Sequence, residues 1–435
     1  MRPIRLCVVA NLAAACLTTI LTAQSAQLEP DKEKVLYKFC AQSGCTDGYW
    51  PYAKVIQDAR GNLYGTTSFG GAHNGGTVFE LSNAGGKWKE TVLYSFCSQS
   101  GCADGYSPWA GLVQDAKGNL YGTTIYGGTG CSNESCGTVF KLSKTGGSWK
   151  ETVLHSFTNQ PDGVNPYAGL WLGSNDDLYG TTAVGGANNN GTVFKVSNNG
   201  TETVLYSFAG ATNDAGAPEA GVIRDTKGNL YGTTYYGGTG KCKTGRLGCG
   251  VLFKLDAAGT ETILHSFTGR SDGGYPKAGV IRDAAGNLYG TTTSGGAFDS
   301  YCPHGCGVVF KVAASGKESV LYRFTGGTDG DAPQAGLIRD SQGNLYGTTA
   351  SGGDLSCEQG GGFGCGVVFK VSKAGKETVL HSFCPAGGRC TDGTFPRAGL
   401  IQDASGNLYG TAAFGGNMNT VCGSSGCGVV FELTP

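Results

Sequence analysis

A seven-residue phrase, GNLYGTT at residues 61–67, recurs in close copies six more times along the 435-residue chain. Aligned on its tyrosine, the copies stand at Tyr64, Tyr121, Tyr179, Tyr231, Tyr289, Tyr346 and Tyr409, 52 to 63 residues apart. Fixed-period repetition overrides the arithmetic that would cut a chain of this length into two or three domains. Each unit must be one supersecondary block that buries its apolar face against its neighbours.

Every unit holds four short apolar runs. In the fifth they are AGVIRD, NLYGTTT, GVVFKV and SVLYRF, rich in β-branched and aromatic residues at strand length. The connections DAAGN and AASGKE carry Asp early and Gly late, as tight turns between antiparallel strands require. Four such strands repeated seven times predict an all-β fold: a seven-bladed β-propeller of four-stranded antiparallel blades. A β-helix uses a shorter repeat, and a sandwich array a longer one. The repeats begin at EKVLYKF, a fourth-type strand, and end at GVVFELTP, a third-type strand. The N-terminal strand is therefore expected to complete the last blade beside Phe431, giving one domain over residues 27–435. Closure removes the free sheet edges that invite aggregation.

Residues 1–26 read as a signal peptide. Arg2 and Arg5 precede an apolar stretch from Leu6 to Ala23, and small residues at Ala23, Ser25 and Ala26 suit cleavage. A membrane-spanning helix and a lipoprotein start at Cys16 are the competing readings. No later run is long enough to span a membrane. With a net charge of −1 and no basic stripe, the composition argues against a nucleic-acid partner.

Of the 18 cysteines, 16 fall into close pairs: Cys40/Cys45, Cys97/Cys102, Cys131/Cys136, Cys242/Cys249, Cys302/Cys306, Cys357/Cys365, Cys384/Cys390 and Cys422/Cys427. Pairs appear and vanish together; the short loop AVGGANNNGTVF of the third unit has none. After an export signal this pattern predicts eight local disulfides. Zinc is the competing reading, but the spacers vary from three to seven residues and only His304 lies inside a pair. No metal and no cofactor is expected.

The phrases GNLYGTT, GTVFKLS and ETVLYSF, in tandem after a signal-like stretch, resemble the GloVer-type tandem repeat family of bacterial secreted proteins. The resemblance covers residues 35–435. It implies a secreted, periplasmic or cell-surface protein and brings no activity with it. Members often carry an interchangeable C-terminal anchor; no hydrophobic tail or basic cluster is legible before Pro435.

In an up-and-down blade, the connections between strands two and three share one face with the connections between blades. All eight cysteine pairs fall in these two kinds of loop, so one face is disulfide-laced and shaped for binding. The interblade connections repeat an aspartate, at Asp47, Asp104, Asp162, Asp214, Asp272, Asp329 and Asp392. Asp beside Gly and Pro is turn chemistry, although a carboxylate ring is the alternative. The informative position lies between the following Pro and Ala. There the units carry Tyr52, Trp109, Tyr167, Glu219, Lys277, Gln334 and Arg397. This position opens the innermost strand, so it is expected to ring the channel mouth, aromatic on one arc and polar on the other. Trp50, Phe69 and Tyr126 are expected to extend the aromatic side. Lys54 replaces a glycine that the other six units keep, which sets an amine nearby. Aromatic faces beside hydrogen-bonding groups suit sugar rings or peptide segments.

Catalytic residues are not evident. His155, His265 and His381 alternate with tyrosine in one outer-strand position, and no nucleophile elbow, metal-binding His pair or phosphate loop is present. The sequence therefore predicts a monomeric, non-enzymatic protein that binds carbohydrate or an extracellular protein. A glycan hydrolase or lyase working through Glu219 and Asp331, and an envelope component without a ligand, are the alternatives.

Overall fold

The structure, a computed structural model, describes residues 33–131, 136–210, 214–242, 248–357, 359, 361–385 and 389–435. The expected signal peptide, residues 1–26, lies outside them. Glu33–Pro435 is one compact unit. It is a propeller of seven four-stranded antiparallel sheets. In the fifth blade Ile281–Arg282, Leu288–Thr292, Val308–Val312 and Glu318–Arg323 lie side by side in sequence order. The last blade joins both ends. Glu33–Lys38 pairs with Val429–Leu433, setting Val35 opposite Phe431. No helix among the described residues is long and apolar enough to cross a membrane.

The repeated phrase does four jobs. Asp58 opens the turn before it; its carboxylate accepts from the Arg60 and Asn62 amides, the Asn62 side chain and the Tyr64 hydroxyl. The arrangement recurs at Asp115, Asp225, Asp283, Asp340 and Asp403. Blade three departs: Gly173 takes the aspartate's place, and Asp177 instead holds the Lys195 ammonium at 2.7 Å. Gly65 serves packing within its own sheet rather than between sheets. A Cβ there would stand 2.6 Å from Cζ of Phe79, its cross-strand partner. Thr67 bonds Thr77 on the third strand.

Thr66 links blades. Its hydroxyl donates to the Ala110 carbonyl on the innermost segment of the next blade. Equivalent threonines reach Ala168, Ala220, Ala278, Ala335 and Ala398, and Thr411 closes the circle onto Ala53. A ring of phenylalanines does the same in the core. Phe39, at the end of the N-terminal strand, meets Phe79 edge-on, and the contact repeats around the ring to Phe383–Phe431 at 4.9–5.3 Å.

Two local features differ from the sequence reading. The innermost strand is paired for only two residues per blade, such as Ile56–Gln57. Upstream of that pair the backbone leaves its own sheet, and carbonyls such as that of Ala53 accept from the neighbouring blade's threonine. Every outer strand also carries a bulge. In the first blade Val78 faces Tyr94 and Phe79 faces Val92, which leaves Leu93 as the extra residue. Such a bulge re-aims the side chains beyond it. Here it places Tyr94 and Phe96 for contacts outside their own ladder.

The cysteines pair as the sequence predicts. Disulfides join Cys40 to Cys45, Cys97 to Cys102, Cys131 to Cys136, Cys242 to Cys249, Cys302 to Cys306, Cys357 to Cys365, Cys384 to Cys390 and Cys422 to Cys427. Their setting corrects one expectation, that the bridges decorate a binding face. In the loops between strands two and three, the second cysteine sits just before the third strand. Cys136 and Cys249 are fully buried there, packed against Phe157 and Phe267 respectively. In the interblade connections, Cys45 and Cys102 close the short turns Ser43–Cys45 and Ser100–Cys102. Cys45 is buried and Cys102 half-buried. The Cys45 carbonyl accepts from the Gly48 and Gly71 amides, and that of Cys102 from Gly105 and Gly128. These four cysteines therefore serve the rim of the core and the loop backbone, and none lines the channel mouth. The physical reason is that a cystine is apolar and each bridge follows or precedes a core strand by one or two residues.

Pairs from the two loop classes also meet: the sulfurs of Cys357, Cys365, Cys384 and Cys390 lie within 4.8 Å of one another, as do those of Cys40, Cys422 and Cys427. As cystines they offer no thiolate to a metal. Peptide mapping without reduction is expected to return each pair linked within its own loop. A dominant Cys365–Cys390 or Cys40–Cys422 link would contradict this pairing.

Candidate functional site at the channel mouth

Side chains alternate along the segment that leads into each inner strand. Val55, Leu112, Leu170, Val222, Val280, Leu337 and Leu400 turn into the blades and are buried. The residues on either side face the channel, a cavity of about 410 Å³ whose lining runs up to the mouth. Three layers result. The lowest is aliphatic, with Val113, Ile223, Ile281 and Ile338, except that Trp171 takes the blade-three place and is exposed. The middle layer is glycine in six blades and Lys54 in the first.

The uppermost layer is the variable one. Tyr52, Trp109, Tyr167, Glu219, Lys277, Gln334 and Arg397 together line one open cavity of about 340 Å³. Its aromatic arc is continuous. Tyr52 and Trp109 stand 4.9 Å apart between ring centroids, and Trp109 and Tyr167 5.8 Å. Trp109 is 37% exposed, so much of its ring surface is open to a ligand. Burial raises the pKa of the Tyr52 hydroxyl, while the nearby Arg397 guanidinium lowers it. Burial, then Tyr126 and Glu219, raise that of Tyr167. Both therefore stay neutral donors at physiological pH.

On the opposite arc the Lys277 ammonium lies 3.7 Å from a Glu219 oxygen and 5.2 Å from the Tyr235 ring centre. The Arg397 guanidinium stands about 6 Å from the rings of Tyr52, Phe395 and Phe414, and its Nε is buried without a hydrogen-bond partner. Lys54 reaches the lumen with part of its side chain exposed, and desolvation by the surrounding protein lowers its pKa. Its stem lies across the glycine layer: a Cβ on Gly111 would stand 3.1 Å from its Cγ.

Other expectations fall elsewhere. Trp50 does not line the mouth. It packs among Tyr49, Phe69 and Phe414, and its indole N–H donates to the Gly426 carbonyl at 3.2 Å. Phe69 and Tyr126 stack on Tyr49 and Tyr106 of the adjoining connections. The interblade aspartates form no ring around the mouth. Each holds its own outer strand: Asp47 accepts from Tyr37, Asp104 from Tyr94, Asp214 from Tyr206 and Asp329 from Tyr322. Asp162, Asp272 and Asp392 meet His155, His265 and His381 at 2.8–3.2 Å. Tyrosine and histidine interchange because each brings a polar hydrogen to that carboxylate. Asp331 sits beside Cys302 and Cys306, where burial pushes its pKa up to about 6. It is not part of the mouth lining that Glu219 and Arg397 share.

Sequence reasoning missed two features. Trp171 was legible as an exception in an Ile/Val column. A loop cavity of about 390 Å³ between Tyr235, Arg270, Phe298 and His304 was not, because its walls come from loops without a common pattern.

No curated protein matches the sequence. Solved structures share the fold at low identity. A fungal alcohol oxidase in complex with copper is 13% identical, covering 94% of this chain and 77% of that one, with a TM-score of 0.53. A putative 6-phosphogluconolactonase from Bacteroides uniformis is 14% identical, covering 85% and 94%, with a TM-score of 0.49. A puromycin hydrolase is 14% identical with a TM-score of 0.48; the match covers 83% of this chain and 50% of that one. At such identity the likeness to the alcohol oxidase speaks to fold alone, and the other two, with TM-scores under 0.5, carry no argument. The sequence profile of the Gloeobacter/Verrucomicrobia repeat matches residues 25–245 and again 241–435. Matched over nearly its whole length, the chain belongs to the Gloeobacter/Verrucomicrobia repeat family.

Proposed function

We propose that this protein is an exported, non-enzymatic binding propeller that takes a carbohydrate at the channel mouth. The observation that carries the reading is the mouth cavity itself, with Tyr52, Trp109 and Tyr167 on one arc and Glu219, Lys277, Gln334 and Arg397 on the other. A sugar ring presents an apolar C–H face to an aromatic ring and hydroxyls to polar neighbours, and this lining offers both. Eight disulfides fit an oxidising compartment.

The test is a glycan and envelope-extract binding screen with the exported chain and its Trp109→Ala variant. Wild type is expected to retain a saccharide that the variant loses by about tenfold or more, the scale of a buried aromatic anchor. Retention of protein but no glycan, or equal retention by the variant, would defeat the reading. A glycan-active enzyme is the second reading, favoured by Glu219 and Arg397 in one cavity. Release of shorter products from the retained glycan would establish it.

A further inference from the structure

We infer that the mouth selects carboxylated sugars, with Lys54 as the group that binds the carboxylate. This deepens the carbohydrate reading above and rests on it.

The charge of the lining is the first observation. Lys54, Lys277 and Arg397 face the mouth and upper channel, and Glu219 is the one acid among those lining residues. Glu219 serves Lys277 at 3.7 Å, which leaves two cations without an acidic partner. Lys54 keeps exposed surface in the lumen, so its ammonium is open to an anion arriving from outside. Arg397 adds a buried Nε that donates to nothing.

The second observation is the layer in which Lys54 sits. Every other blade carries glycine there: Gly111, Gly169, Gly221, Gly279, Gly336 and Gly399. At two of them glycine is needed for packing: a Cβ on Gly221 or Gly279 would come within 2.5 or 2.9 Å of the preceding blade's glycine carbonyl. The glycines also leave Lys54 as the lone side chain of its layer. It lies two residues below Tyr52, about 7 Å along an extended chain. A sugar ring stacked on Trp109 therefore holds its exocyclic carboxylate over the Lys54 ammonium, while Arg397 reaches the ring hydroxyls from the rim. A neutral sugar in the same seat leaves the ammonium unpaired, so discrimination comes from the charge the site fails to satisfy.

Titration calorimetry at pH 7 on the full exported chain tests this, using oligogalacturonate and alginate oligomers, each against its carboxyl-reduced neutral form. At least one uronate is expected to bind about tenfold or more tightly than its neutral counterpart, the scale of one charge-assisted hydrogen bond. Lys54→Gly restores the residue the other blades use and is expected to fold normally. It and Lys54→Met should bring the acidic-to-neutral ratio close to unity. Equal binding of both forms by wild type overturns this inference and leaves the carbohydrate reading standing. Binding of neither form removes both. A ratio unchanged in both Lys54 variants, or a sulfated galactan oligomer bound more tightly than every uronate, overturns the assignment of Lys54 to a carboxylate.

Discussion

Phe39→Ala is expected to cost about 3–5 kcal/mol of stability, the usual range for emptying a buried phenylalanine site. Phe39 is fully buried and meets Phe79 edge-on at 5.0 Å, so it joins the N-terminal strand to the first blade. Its amide donates to the Gly428 carbonyl, so the same residue touches the last blade. Among the described residues no covalent bond closes the ring at this seam. Its strength includes the Glu33–Lys38 ladder, the Phe39 contact and the hydrogen bonds Thr411–Ala53 and Trp50–Gly426. Loosening the seam exposes the edge of Val429–Leu433, an apolar strand ready to pair with another chain. The variant should therefore also aggregate on heating sooner than Phe267→Ala, which empties an equivalent site between blades four and five. Denaturant unfolding and light scattering read both effects. An unchanged midpoint would show that the seam adds nothing.

Raising the pH from about 5 to 8 is expected to weaken the fold. Six outer strands carry a glutamate whose Oε1 is buried without a hydrogen-bond partner: Glu90, Glu151, Glu202, Glu261, Glu318 and Glu377. Burial, and then the aspartate of the preceding interblade connection, pushes Glu90 up to about 8 and Glu151, Glu261 and Glu377 up to about 7. Glu202 also rises to about 7 through burial, with His155 opposing and Asp162 adding. These carboxyls hold protons in the fold that the unfolded chain releases near its ordinary value of 4.5. Their stabilisation is complete below that value and is lost as pH climbs through 7 to 8. After solvent screening the loss is on the order of 1 kcal/mol per carboxyl.

The turn aspartates act at the other end of the scale. Burial pushes Asp58 and Asp225 up, but the Asn side chain and backbone amides outweigh it and hold them below the usual range. Their stabilisation is lost as pH falls below about 4. Thermal midpoints should therefore peak near pH 5. Glu90→Gln should flatten the fall above pH 7 and raise the midpoint at pH 8. A midpoint that rises from pH 5 to 8 would overturn this assignment.

The blade count, the order of strands and the disulfide pairing were legible because each is written seven or eight times. Repetition averages out the local ambiguity that defeats single strands. How deeply Cys136 and Cys249 are buried was not legible, since that depends on the neighbouring blade's phenylalanine rather than on the loop that holds them. The seam was legible for a different reason: EKVLYKF and GVVFEL are the two halves of one blade at opposite ends of the described chain. The positions from Tyr52 to Arg397 were found as a varying column in a fixed frame, and they line one cavity. Trp50 was misplaced because its neighbour Pro51 suggested the same segment, whereas its left-handed backbone, with φ at +57°, directs the indole into the loops. The bulge at Leu93 and the Thr66 bond to the next blade stayed hidden, since both depend on where strands meet rather than on which residues alternate.

The proposed function rests on the position where the repeats disagree. The most direct measurement is a crystal structure of residues 27–435 with the tightest saccharide from the binding screen. The expected result is a sugar ring against Trp109, inside the cavity shared by Tyr52, Tyr167 and Arg397, with that site occupied before any other. A saccharide seated instead in the loop cavity by Phe298 and His304, with the channel mouth empty, would contradict it.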